Sequence, residues 1–136
     1  MIDRPVGEVF AFLTDLDKAP QWAPQMGKLV ERSGPVAEGM SFGEERRFAG
    51  RPSLARWTIT RLVPLRVFGL AMRWGPLTGS FAYHFESVGE SSTRITQDID
   101  FHLGGPLAPL SGMVTSEATK EEARELVRLK ELLERR

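Results

Sequence analysis

The chain has 136 residues, of which 41% are hydrophobic and 26% charged, and its 18 basic and 18 acidic side chains cancel. Residues 1–136 therefore suit one globular domain with its own core, and zero net charge argues against nucleic acid, which selects a surplus of Lys and Arg on one face. The lack of cysteine excludes disulfides, thiolate catalysis and zinc–thiolate sites; with no apolar run of membrane-spanning length and no signal peptide ahead of Asp3 and Arg4, a cytoplasmic protein is expected.

Residues 5–13 predict a short helix. Proline gives up nothing at a first helical position, and Val6, Val9, Phe10 and Leu13 recur at helical spacing. Residues 15–22 predict a second short helix or turn, capped by Asp15 or Asp17 and ended by Pro20 and Pro24. Strands follow over residues 27–33, 40–48, 54–63, 66–74, 80–88 and 93–103, each closed by a Gly or Pro turn signal. The short connections predict antiparallel neighbours in a meander.

Alternation separates two sheet faces. Phe81, Tyr83 and Phe85 share one face of the fifth strand, and Ile95, Gln97, Ile99 and Phe101 share one face of the sixth. In the fourth strand Phe68, Leu70, Met72 and Trp74 fall together, and in the third Trp57 and Ile59. The opposite face of the sixth strand carries Arg94, Thr96, Asp98, Asp100 and His102. An aromatic face opposite a polar one is the pattern of an antiparallel sheet covered on a single side.

The cover is one long amphipathic helix toward the C-terminus, over about residues 109–136. At ~100° per residue, Thr115, Thr119, Glu122, Ala123, Leu126, Leu129 and Leu133 form its inward stripe. Glu121–Arg124, Glu125–Arg128 and Glu131–Arg135 are spaced as surface ion pairs on the remainder. The stripe is bulky at its leucine end and small at Gly112, Thr115 and Thr119, so the helix grips the sheet at one end and leaves space at the other. Leu107, Leu110 and Val114 lie off the stripe, in a bent or separate first turn after Gly104-Gly105-Pro106.

The wording of the chain resembles the polyketide cyclase/dehydrase-like branch of the START/Bet v 1-like (SRPBCC) superfamily. The resemblance rests on IDRPVGEVFAFLTDLDKAPQWAP at residues 2–24, GMSFGEERRF at 39–48, WTITRLVPLRVFGL at 57–70, GSFAYHFESVGESSTRIT at 79–96 and the closing LVRLKELLE. It implies an α+β helix-grip fold, in which a curved antiparallel sheet wraps the C-terminal helix over a hydrophobic ligand. Such proteins usually begin with a strand ahead of the first helix, and here only residues 1–3 supply it. A first strand that is largely missing would expose neighbouring edges, which predicts a homodimer or sheet-edge contact near the N-terminus.

Candidate chemistry is sparse. His84, His102, Asp98 and Asp100 fall on the polar face and read as solvated residues. No metal-ligand spacing occurs, and no GxGxxG, GxxxxGK[ST] or GxSxG motif, so neither metal nor cofactor is expected. Gln97 interrupts an apolar row and must find a hydrogen bond, water or ligand; Tyr83 shares its face and could orient a ligand carbonyl or act as a weak acid. These two are the weak candidates for catalysis. Glu122 enters the helix stripe, although its length lets it reach solvent. The run Glu44-Glu45-Arg46-Arg47 alternates sides along a strand, so at least one charge should point inward or sit at the rim, with Arg46 either at a pocket rim or paired with a neighbouring carboxylate. Aromatics are more often core than ligand box, yet several of them facing small helix residues mark a void. The ligand wall expected from these arguments comprises Trp57, Phe68, Met72, Tyr83 and Phe85. Gln97, Ile99, Thr115 and Thr119 complete it.

The reading is a module that binds a small hydrophobic or aromatic molecule, lipid-, isoprenoid- or polyketide-like, between sheet and helix. The alternatives are a polyketide cyclase or dehydratase that holds a flexible chain in a reactive shape, and a quinone-binding accessory protein.

Overall fold

The computed structural model describes every residue of the chain except Gln25 and Ala49, and every remaining side chain except that of Phe48. Helix α1 (Val6–Thr14) follows Pro5 and buries Val9, Phe12 and Leu13. A 3-10 turn (Leu16–Lys18), whose Asp15 side chain accepts from the Asp17 N–H, leads into α2 (Ala19–Trp22). The strands are β1 (Leu29–Val30), β2 (Ser41–Phe48), β3 (Arg51–Val63), β4 (Val67–Trp74), β5 (Leu77–Val88) and β6 (Ser92–Leu103). A second 3-10 segment (Gly105–Leu110) precedes α3 (Ser111–Glu134). The separate first turn is thus real, because Pro106 and Pro109 withhold the N–H groups an α-helix would use.

All six strands form one antiparallel sheet in sequence order. A bulge at Thr60 breaks the β3–β4 register between Ile59 and Arg61, adding the bend that lets the sheet curve. The concave face carries Phe42, Trp57, Ile59, Phe68, Leu70, Met72, Phe81, Tyr83 and Phe85, all buried, as the alternation predicts. The convex face carries half-buried His84 with exposed Asp98 at 3.1 Å, and His102 and Asp100, also exposed. Leu129 and Leu133 are wholly buried where α3 meets the sheet; each contributes about 1.5–3 kcal/mol.

The inward stripe of α3 differs from the one expected. Ala123 and Thr119 are exposed, while Glu125 is buried at 8% exposure. The buried line runs Ala118, Glu122, Glu125, Leu129, Leu133, at steps of four, three, four and four. Glu122 keeps its expected place in the inward stripe, and Glu125 joins it on the face toward the sheet. Glu121 does pair with Arg124 at 2.7 Å and Glu131 with Arg135 at 3.8 Å, but Glu125 turns inward instead of forming a surface pair.

The chain's start is anchored without a full strand. Ile2 makes a two-bond antiparallel bridge with Thr93, both bonds 2.8 Å, and Arg4 donates to the carbonyls of Glu134 and Arg136 at the end of α3. Further along β6 the α3 hydroxyls cover the edge: Thr115 Oγ1 accepts from the Phe101 N–H and Ser111 Oγ from that of Leu103, each at 2.9 Å. Between these anchors Ile95, Gln97 and Ile99 turn their backbone groups outward, by the alternation of an antiparallel ladder. Among the described residues no helix is long and apolar enough to cross a membrane.

Candidate functional site

A cavity of about 240 Å³ lies between the sheet and the middle of α3. Its apolar wall is Trp57, Met72, Trp74, Leu77, Phe81 and Phe101, with Met26 and Ala118 at its margins. Trp57 and Phe81 rings lie 5.2 Å apart, and Phe81 meets Phe101 edge-on at 5.3 Å. Gly79 makes that last position available: a Cβ there would sit 2.5 Å from the Phe101 ring, so only glycine lets the ring lie across β5.

The polar wall is built by two elements. From β2 comes Glu44, fully buried, whose Oε1 accepts from Trp57 Nε1 at 3.0 Å and Arg46 Nε at 3.1 Å. Its Oε2 accepts from the Gly27 N–H at 2.9 Å. This contact needs Gly27, since a Cβ there would lie 1.7 Å from the Glu45 carbonyl oxygen. The Arg46 guanidinium lies 5.2 Å from the Trp74 ring centroid, a cation–π contact. Arg46 thus satisfies both readings of the sequence, bridging to a carboxylate while lining the space.

From α3 come Glu121, Glu122 and Glu125. Tyr83 donates to Glu122 Oε2 at 2.7 Å, and Gln97 Nε2 approaches the same oxygen at 3.5 Å. Glu122 therefore points inward, contrary to the expectation that it could reach solvent. Burial raises its carboxyl above the usual range, opposed by the Tyr83 hydrogen bond. Burial, followed by the charge of Glu122, holds the Tyr83 phenol well above its ordinary value, so it stays a neutral donor. Glu125 is pushed up to about 8, first by burial, then by the charge and hydrogen bond of Glu122 and the charge of Glu121, against the pull of Arg128. Two ionised carboxylates one turn apart in an apolar space repel strongly, so one of the pair keeps its proton near neutrality.

The residues singled out from sequence are distributed as follows. Trp57 and Met72 lie on the cavity wall. Tyr83 reaches it through Glu122, while Phe68, stacked on Tyr83 at 6.4 Å, and Phe85 lie in the core. Thr115 is occupied with the β6 edge, and Thr119 donates to the Thr115 carbonyl at 2.8 Å. The space lies against Ala118, Glu121, Glu122 and Glu125, further along the helix than Thr115 and on a different face from Thr119. Gln97, Ile99 and Thr119 also border a separate open depression that runs onto the convex face past Arg61, His84 and Asp98; its charged border suits water better than an apolar ligand. From the sequence, Glu121 and Glu125 read as surface-pair residues, and Glu44 only as one member of a charged run with a charge turned inward or to the rim. The signal for Glu125 was the spacing of Ala118 and Leu129, which brackets it on one helix face.

A curved sheet gripping a long helix over a partly polar cavity defines a helix-grip protein of the START/Bet v 1 class. The chain belongs to the family described as polyketide cyclase/dehydrase and lipid transport, whose model matches residues 1–134. Among solved structures it is similar to Ara h 8.0201, with 15% identity, TM-score 0.75, and coverage of 99% of this chain and 93% of that one. A START superfamily protein from Mycobacterium smegmatis aligns at 14% identity and TM-score 0.74 over 96% and 93% of the two chains. The Zhui aromatase/cyclase from Streptomyces sp. R1128 aligns at 16% identity and TM-score 0.74 over 99% and 90%. At such identities the likeness establishes the fold. None of the curated proteins is significantly similar in sequence.

Proposed function

We propose that this protein binds one small hydrophobic or aromatic molecule in the cavity between the sheet and α3. The observation that carries this reading is an aromatic-walled space of about 240 Å³ with convergent polar groups on one side. Drug-sized ligands fill roughly 300–1,000 Å³, so the occupant is compact, with one or two rings inside. The family description, which couples cyclase chemistry with lipid transport, supports a lipid-, isoprenoid- or polyketide-like molecule. Native mass spectrometry of the purified protein, followed by solvent extraction, tests it. A 1:1 adduct that disappears when Ala118→Leu narrows the space supports the reading; a bare mass under gentle ionisation, with no added aromatic bound, defeats it.

The Tyr83–Glu122–Glu125 array favours a second reading, a cyclase or dehydratase. A carboxylate and a neighbouring carboxylic acid that titrates near neutrality are the groups needed to take a proton from an activated carbon and return one to a departing hydroxyl. The likeness to an aromatase/cyclase supports that reading without supplying residue roles. The proposal includes a cytoplasmic site of action, which fits a chain with no cysteine and is checked by cell fractionation. It also includes a homodimer through the open β6 edge at Ile95, Gln97 and Ile99. A two-fold axis at Gln97 would set Arg94 against Asp100 of a second copy, opposite charges facing across the new ladder. A mass that stays monomeric at all concentrations removes the dimer.

A further inference from the structure

The cavity has more acid than its own cations can balance. Four carboxyl side chains line it, Glu44, Glu121, Glu122 and Glu125, against one guanidinium, Arg46. Arg46 is already committed to Glu44 at 3.1 Å. Glu121 gives its Oε2 to Arg124 outside the space, while its Oε1 is buried with no hydrogen-bond partner among the described residues. Glu125 is 8% exposed, and its hydrogen-bonding neighbour is another acid, the Glu122 carboxyl. A buried carboxyl oxygen without a donor, as at Glu121, is rare in folded proteins and marks a place where a donor comes from elsewhere. The facing wall of Trp57, Phe81 and Phe101 offers π-faces, which favour cations over anions.

Resting on the ligand-binding reading above, we infer that the cavity's ligand is a compact aromatic amine, its ring against Trp57, Phe81 and Phe101 and its ammonium among Glu121, Glu122 and Glu125. An ammonium brings three N–H donors and one positive charge, which is what this wall lacks. An acyl chain ending in a carboxylate would instead add a further negative charge to it. In the empty cavity a proton on Glu125 performs the neutralising role. Binding of the ammonium displaces that proton, so association releases protons near neutrality and tightens as pH rises toward about 8. The charged groups that set this balance are the three α3 glutamates, Glu44 and Arg46 from β2, and Arg124 and Arg128 beside the helix glutamates.

The test is isothermal titration calorimetry with three probes that share one ring: tryptamine as cation, tryptophol as neutral alcohol and indole-3-propionate as anion. Tryptamine is expected to bind at least about tenfold tighter than tryptophol, the scale of a desolvated charge-assisted contact, with the propionate weakest. Its heat should differ between phosphate and Tris buffers by the proton released. Glu125→Gln and Glu121→Gln, both close in shape to the native side chain, should each erode the preference for tryptamine while leaving tryptophol unchanged. Equal affinities, or a propionate that binds best, would overturn the amine assignment and leave the cavity reading standing. Failure of all three to bind would overturn both.

Discussion

Tyr83 and Glu122 are coupled by one 2.7 Å hydrogen bond in a buried setting. Removing the hydroxyl by Tyr83→Phe leaves Glu122 with a long contact to Gln97 at 3.5 Å and its neighbouring acid Glu125. The expected cost is about 1.5–3 kcal/mol at pH 7, the worth of a hydrogen bond to a charged group, read from urea unfolding. Glu125 gives a second prediction. Its carboxyl is raised from 4.5 to about 8 in the folded state. Between those values the folded protein holds a proton that the unfolded chain has released. Stability is therefore undiminished by this group below about 4.5 and declines as pH rises to about 8. Thermal melts from pH 5 to 8 should show Tm falling, and Glu125→Gln should flatten that slope and raise Tm at pH 8.

At the scale of elements, the approach of residues 26–28 to β2 depends on Gly27. Gly27→Ala would push a methyl into the Glu45 carbonyl, 1.7 Å from the ideal Cβ position, and pull the Gly27 N–H away from Glu44. The expected loss is about 2–4 kcal/mol, combining overpacking with a weakened buried carboxylate site, visible as a lower urea midpoint. The strands and their faces were legible in the sequence because period-two alternation and Gly or Pro punctuation act locally. The α3 stripe was legible only at its leucine end. Glu122 falls within the drawn stripe, but hydrophobicity cannot register a buried glutamate, so Glu125 reads as a surface residue and the stripe is drawn toward Thr119 and Ala123. The void was accordingly sought beneath Thr115 and Thr119, whereas Thr115 is occupied in covering the β6 edge. Which charge of the run at 44–47 turns inward was not legible for a different reason: two donors of Glu44 come from Gly27 and Trp57, 17 and 13 residues away, and such convergence is a property of the folded sheet.

For the whole molecule, the grip of α3 and the cavity are two parts of one design. Leu129 and Leu133 fasten the helix, and the Ala118–Glu125 stretch stands off the sheet behind an aromatic wall. The central claim is that this space, not the convex depression, receives the ligand. The most direct measurement is a 15N-resolved NMR titration with 2-naphthol, following the indole N–H signals of the three tryptophans. The account predicts saturable 1:1 shifts of the Trp57 and Trp74 signals, which line the space, and their loss in Ala118→Leu. Shifts confined to Arg61, His84 and Asp98 on the convex side, or none at saturating naphthol, would contradict it.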